Sequence, residues 1–437
     1  MTGRLRGGGV VLLGIYILLP LFFTALYFVG NLYSFTALFE LYNLSIITGA
    51  LAYILFMGQF LLSARLRFIE KYFAQDKLLA FHGRMGMVLG GLILIHFIIK
   101  YISILIYSGP GLQSSLGFAA LLIFVLLMPA ALLVLQGRAK KWKKSVPYGR
   151  AKTGHNLFAL AGILTVAHVY LASSTGTMAL KFVTLGWGAL CLSAYVWHKL
   201  IRPRRAFELE LERVRELSPE INSFRFRSNG PLSRRSPGQF GYFSFVSDKP
   251  GREEHPFTVA SPPDDEVEII VKKSGDFTSE MPNAPLSTRV LFDGPYGHFH
   301  LAGMAPGTPL YCIAGGIGIT PFLSMIRDRK LREEHPIRLI WSVQKVRDLD
   351  AAREIIDLSG KGEVDLRIHY TNQGPDGEQH RFGRIDLESL ADLIPEADRK
   401  NARVFICGPQ GFGKTMRRAL RSLGVPGSAV KEEKFSW

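Results

Sequence analysis

Residues 309–321 read PLYCIAGGIGITP, and the architecture of the second half of the chain follows from them. A short apolar run ends at Ile313, Gly315, Gly316 and Gly318 follow at once, and an apolar-periodic segment, FLSMIRDRKL, starts directly after Pro321. The order is strand, glycine turn, helix. Glycines let backbone approach a diphosphate closely, and a helix start supplies unpaired N–H donors with partial positive charge. Thr320 belongs to the same candidate cradle, and Pro321 suits the first helical turn, where its missing N–H costs nothing. Downstream, IRLIWSV (337–343) and ARVFICG (402–408) add strands between helical segments. Residues 304–437 therefore predict an α/β doubly wound nicotinamide-binding domain. Cys407, Gly408 and Pro409 end the last of these strands, at the carboxyl edge where such sheets hold ligands. The plainer reading of Cys407 is a buried core residue beside a tight turn. Lys345 and Arg347 follow the second strand; basic groups there suit a 2′-phosphate, which tilts the expectation from NADH to NADPH. Solvated surface charge is the competing account.

Upstream, residues 205–303 alternate apolar and polar positions between Gly/Pro turns, as in FELELERVREL, QFGYFSFV and VEIIVKK. That pattern predicts a small antiparallel β-barrel. It carries His255-Pro256-Phe257-Thr258 and, after Lys272, Gly275-Asp276-Phe277-Thr278. A flavin needs an aromatic or apolar wall, a hydroxyl or amide for its edge, and small residues at its pyrophosphate. Either tetrapeptide alone is a weak signal; their order and spacing together point to a flavin site.

Residues 1–204 differ in kind. Six apolar stretches, near 9–30, 43–63, 79–106, 116–136, 154–173 and 178–200, approach the roughly 20 residues that a helix needs to span a bilayer. The first has no small-residue cleavage signature and reads as a spanning helix, not a removed signal. Arg4, Arg6, Arg65, Arg67, Lys71, Lys77, the run from Arg138 to Lys152, Lys199 and Arg202 to Arg205 all fall on one side. The opposite loops hold no Lys or Arg, although Lys181 sits just inside the sixth stretch. Positive charge stays cytosolic, so both termini and the whole second half of the chain are expected there. The net charge of +16 thus needs no nucleic acid, since the basic residues make no aromatic-interleaved face. Cys191, Cys312 and Cys407 lack CxxC spacing, which excludes a disulfide framework or zinc site of that type.

Four histidines lie in these stretches: His82 and His96 in the third, His155 and His168 in the fifth. Ionisable groups at membrane depth are costly and commonly functional. Spacings of 14 and 13 residues span roughly 20 Å along each helix. Two such helices facing each other would clamp two b-type haems, His82 with His155 inside and His96 with His168 outside. Helix–helix hydrogen bonds are the bland alternative. On straight helices His96 returns to within about 40° of His82, but His168 stands about 140° from His155. Distortion or tilt of the fifth helix, or side-chain reach, has to compensate, and Gly162 makes a kink possible. Arg84 and Lys100 sit near opposite faces, as partners for haem propionates or as snorkelling cations. Lys100 is also placed to attract negative charge at the outer site.

Together these residues resemble the NADPH oxidase and ferric reductase superfamily over nearly the whole chain, most of all its short bacterial members. The resemblance implies a multi-domain membrane protein: a six-helix transmembrane haem-binding bundle (1–204) plus a ferredoxin–NADP reductase-like module. That module is an antiparallel β-barrel for FAD (205–303) and an α/β doubly wound domain for NADPH (304–437). By the same resemblance, residues 255–258 contact the isoalloxazine and 275–278 the FAD pyrophosphate. Residues 314–321 would take the nicotinamide cofactor's phosphates, and 407–409 would sit at the nicotinamide. Glu433-Lys434-Phe435 is similar to the family's closing aromatic, with Trp437 a rival for that role. His255 stands where many soluble relatives carry Arg, which matches the oxidase branch. No regulatory domain precedes the first helix, so constitutive activity is expected. Phe435, Cys407 and Lys100 are the candidates for direct roles at the reacting groups. The implied activity is electron transfer from NADPH, or NADH, through FAD and two haems to an acceptor on the far face. Dioxygen giving superoxide is expected first; a ferric chelate or a partner protein are the alternatives, and no obligatory protein partner is evident.

Overall fold

The computed structural model describes residues 7–28, 39–107, 111–132, 148–172, 175, 177–228, 235–263, 266–301, 303–373 and 380–434. The chain divides into two compact units, with the boundary between Arg204 and Arg205.

The first unit is helical: α1 (Gly7–Phe28), α2 (Leu41–Ser63), α3 (Gln75–Tyr107), α4 (Leu112–Ala130), α5 (Tyr148–His155), α6 (Phe158–Leu171) and α7 (Met178–Val196). Among the described residues, six spans are long and apolar enough to cross a membrane, α5 and α6 together making the fifth. Within such a helix every backbone polar group is paired inside its own segment. The core gathers Phe56, Phe124 and Phe158, with ring centroids 5.5–6.3 Å apart. The Tyr53 hydroxyl donates to the Thr184 carbonyl at 2.6 Å and ties α2 to α7. Large apolar side chains such as Leu94, Leu105, Leu126 and Phe182 remain exposed on the outside. The fifth helix departs from expectation. It is interrupted at Asn156–Leu157, where the Leu157 N–H bonds the Gly154 carbonyl at 2.9 Å. Gly162 instead lies against Phe60, close enough that a Cβ there would meet the ring at 3.1 Å.

The second unit holds two sheets. Strands β1 (Phe207–Ser218), β2 (Ile221–Ser228), β3 (Phe240–Phe245), β4 (His255–Thr258), β5 (Glu266–Lys272) and β6 (Arg289–Tyr296) pair antiparallel in the order β4-β3-β6-β1-β2-β5. The two edges meet where the Ala260 N–H donates to the Glu268 carbonyl at 2.7 Å, so the sheet curls into a barrel. A short helix, α8 (Asp276–Glu280), lies between β5 and β6. β3 is buried at every position, although its alternation suggests one exposed face. The reason is a second cluster: Phe243 and Phe245 face the barrel core, while Phe240 and Tyr242 pack with Tyr296 on the other side.

The other sheet comprises β7 (Leu310–Gly315), β8 (Ile337–Lys345), β9 (Asp365–Gln373), β10 (His380–Phe382), β11 (Arg403–Gly408) and β12 (Val430–Lys434). Its strands are all parallel, in the order β10-β9-β8-β7-β11-β12. Helices α9 (Thr320–Arg327), α10 (Arg353–Gly360), α11 (Leu387–Leu393) and α12 (Gln410–Ser422) connect them. The order reverses between β7 and β11, which makes the crevice there the ligand-binding edge of the fold. Arg327 at the end of α9 bonds Glu268 at 2.8 Å and the Ala260 carbonyl at 3.1 Å. The barrel and the parallel sheet are thereby stitched at the barrel's own seam.

Candidate functional site

The glycine turn and the Cys407-Gly408-Pro409 turn meet at that crevice. A Cβ on Gly318 would lie 2.3 Å from the Cys407 carbonyl oxygen, and one on Gly408 would lie 3.2 Å from the Gly315 Cα. Backbone faces backbone here, and no side chain fits between. The Trp341 indole N–H donates to the Gly316 carbonyl at 2.9 Å, which fixes the turn from β8. The Thr320 hydroxyl donates to the Ile317 carbonyl at 3.2 Å, Pro321 opens α9, and Pro409 caps α12. The Cys407 thiol is fully buried. Burial raises its pKa, with Glu433 and Glu432 adding to the shift, so it remains a neutral thiol. What Cys407 brings to the crevice is its carbonyl, against Gly318.

The two flavin tetrapeptides also come together. The His255 ring stacks on the Phe277 ring with centroids 3.7 Å apart at 21°. Phe257 continues the same flat aromatic face, its ring 23° from that of His255 at 6.5 Å. His255 also meets Glu253 at 3.3 Å. Pro256 and Thr258 lie in β4 opposite Tyr242 and Phe240. Gly275 and Asp276 are exposed at the start of α8. The Thr278 hydroxyl accepts from the N–H groups of Ser274 and Gly275 at 2.8 and 3.1 Å and shapes that turn. Lys272 does not join this face through its ammonium, which pairs with Glu220 at 3.2 Å. Arg347 lies 4.0 Å from the same carboxylate, and Lys345 is exposed. Phe435 and Trp437 fall outside the described residues.

In the helical unit the structure forms both expected histidine pairs. The ring centroids of His82 and His155 are 6.2 Å apart at 71°, and those of His96 and His168 are 6.3 Å apart at 69°. Two metal–imidazole bonds of about 2.0–2.1 Å, each extended by about 1.1 Å to the ring centre, give about 6.3 Å between rings that share one metal. Both pairs have that separation. The outer rings are also oriented: His96 Nδ1 bonds the Ser45 carbonyl at 2.9 Å and His168 Nδ1 the Gln113 carbonyl at 2.6 Å. A carbonyl that takes the Nδ1 proton leaves Nε2 as the ligand nitrogen. Close approach on this side depends on glycine, because a Cβ on Gly49 would meet His96 at 2.7 Å and one on Gly117 would meet His168 at 2.9 Å. Of the inner pair, His82 has the Gln59 backbone as its hydrogen-bond neighbour. Two histidines would suffice to hold an iron that brings its own four ring donors. Lys100 lies over the Tyr42 ring at 5.7 Å, close enough for its charge to act on both outer histidines. Arg84 is exposed and donates to the Ala80 carbonyl at 3.3 Å.

Residues 220–300 match the family of FAD-binding domains, and residues 312–418 match that of oxidoreductase NAD-binding domains. The second unit is an FAD- and NAD-binding oxidoreductase module. The chain is similar to the reductase component of propane 2-monooxygenase of Mycolicibacterium smegmatis, 32% identical over 212 residues, covering 46% of this chain and 59% of that protein. It is also similar to a flavohemoprotein of a Burkholderia species, 29% identical over 244 residues, covering 54% of this chain and 60% of that protein. The chain thus spans about three-fifths of the length of these relatives. A solved flavohemoglobin of Malassezia yamatoensis aligns at a TM-score of 0.49 and 18% identity, over 95% of this chain and 99% of that one.

Sequence reasoning missed one residue of the module. Phe412, in the first turn of α12, lies across both glycine turns: a Cβ on Gly408 would meet its ring at 2.8 Å and one on Gly315 at 3.1 Å. The only signal was its place three residues after Pro409. Glu432 of β12 braces the same turn by pairing with Arg417 of α12.

Proposed function

We propose that the oxidoreductase module draws electrons from NADPH and that the helical unit carries them across a bacterial cytoplasmic membrane to dioxygen, which leaves as superoxide. The single observation that carries this reading is the double histidine pairing, two iron-sized gaps on one pair of facing helical elements. When bound, FAD would take two electrons as a hydride and release them singly, and two b-type haems held by His82/His155 and His96/His168 would relay them one at a time. The chain's own residues do the positioning. The turns at 314–321 and 407–409 would hold the nicotinamide cofactor. The His255–Phe277 stack and Phe257 would offer the flavin ring a flat wall. The Ser45 and Gln113 carbonyls hold the proton on Nδ1 of the outer histidines.

The six apolar spans and their exposed apolar side chains support a bilayer as the surroundings, and the one-sided basic residues support cytosolic termini. A ferric chelate as acceptor is favoured by one observation. Lys100 and Lys181, at the outer end, each lie over a tyrosine ring, at 5.7 and 5.1 Å, a cationic setting that suits an anionic chelate. The test is NADPH-driven cytochrome c reduction by the purified, FAD-loaded protein in detergent, with and without superoxide dismutase. Dismutase-sensitive reduction supports the oxidase reading. Insensitive reduction, or none until ferric chelate is added, replaces it with a metalloreductase or a reductase of a partner protein.

A further inference from the structure

We infer that Glu220 is the residue that sets the choice between NADPH and NADH, by competing with a 2′-phosphate for the basic groups at the end of β8. The inference rests on the nicotinamide reading above.

Glu220 stands in the turn between β1 and β2 of the barrel, yet it meets Arg347, one of the two residues expected to recognise the phosphate. Its Oε1 lies 4.0 Å from Arg347 Nη2, and its Oε2 lies 3.2 Å from Lys272 Nζ. One carboxylate thus bridges a cation of the barrel and a cation of the parallel sheet. Lys272 first, then Arg347 and Lys345, hold the Glu220 carboxyl below its ordinary pKa, so it is ionised throughout the neutral range. The position is fixed by backbone as well, since the Lys273 N–H donates to the Glu220 carbonyl at 2.8 Å. On the other side, Asp348 accepts from the N–H groups of Gln344 and Lys345 at 3.1 and 3.0 Å and sets the loop that carries Arg347.

The cluster is open to solvent: the side chains of Glu220 and Arg347 are 52% and 47% exposed. A ligand can reach it, and ion pairs this exposed are weak enough to be exchanged. The end of β8 is where doubly wound sheets read the adenosine ribose. An acid there accepts from the free 2′-hydroxyl of NADH, and a base there binds the 2′-phosphate of NADPH. Here both kinds of group are present, paired to each other. A 2′-phosphate must displace Glu220 from Arg347 and bear the repulsion of its carboxylate, whereas a bare ribose leaves the pair intact. Glu220 therefore offsets the NADPH preference that Lys345 and Arg347 would otherwise impose.

The test compares Glu220→Gln with the unaltered full-length protein in detergent. Binding of 2′,5′-ADP and of 5′-AMP is measured by calorimetry, alongside KM for NADPH and NADH. The amide keeps size and removes charge, so 2′,5′-ADP should bind about three- to tenfold more tightly. Binding of 5′-AMP should hold or weaken, and the change should fall on KM for NADPH and not on kcat. Arg347→Ala in the Glu220→Gln background should remove the gain. An equal change for both nucleotides, or none, overturns the inference while leaving the nicotinamide reading in place. If the unaltered protein binds neither nucleotide, the nicotinamide reading itself falls.

Discussion

The crevice between β7 and β11 and the paired histidines between the helices are built on opposite plans. In the crevice main chain meets main chain, with the Phe412 ring lying across both turns: Gly318 meets the Cys407 carbonyl, and Gly408 meets Gly315. In the helical unit side chains are the active surface, and the backbone withdraws to admit them, as Gly49 and Gly117 do for His96 and His168. Glycine serves both plans for different reasons. In the first it lets two main chains touch; in the second it leaves room for an imidazole. A backbone site tolerates almost no added atom, whereas a side-chain site can yield by rotating a ring.

The comparison can be broken most decisively at the histidines. On the proposed haem reading, His96→Ala or His168→Ala is expected to remove the outer haem, halving haem per chain while NADPH-to-flavin reduction persists. Haem-to-flavin stoichiometry checks this, and two haems retained in either variant would refute the pairing. Next in size is Gly318→Ala. Its methyl would sit 2.3 Å from a backbone oxygen, and overpacking of this kind costs about 1–3 kcal/mol. A lowered melting temperature with a raised KM for NADPH is expected, and the haem spectrum should not move. Gly117→Ala should be milder, because the atom it meets is at the movable end of a side chain. A shift in the outer haem's midpoint potential, with both haems retained, is the expected result of a potentiometric titration. The smallest effect is expected from Phe277→Ala. The lost stack on His255 is worth about 0.5–1.5 kcal/mol by analogy with aromatic pairs, and it should appear as weaker FAD binding in a flavin-release titration.

Much of this was legible in the sequence, for identifiable reasons. The turn at 314–321 is local: strand, glycines and helix follow one another, so composition alone declares it. The pairing of His82 with His155 and of His96 with His168 followed from matched spacing on two spans expected to start on the same side of the membrane. Contacts between distant segments were not legible. No pattern in residues 255–258 or 275–278 announces that His255 will stack on Phe277, since that depends on how β4 and α8 converge. The same holds for Phe412, which helical periodicity marks as nothing special, and for Glu220, an unremarkable turn acid until β8 is brought beside it. The break at Asn156–Leu157 was not legible either, and Gly162, read as a possible place for a kink, lies where a Cβ would meet the Phe60 ring at 3.1 Å.

The interruption at Asn156–Leu157 has a consequence for how such a bundle changes over time or by design. In an unbroken helix, moving one ligand by a residue drags the other round with it, because both ride on a single screw. Here Tyr148–His155 and Phe158–Leu171 are separate screws with a coupling between them. A residue gained or lost in Tyr148–His155 would retune one centre and leave the other's alignment alone. Anyone copying this span as a single idealised rod would forfeit that independence and have to respace the ligands.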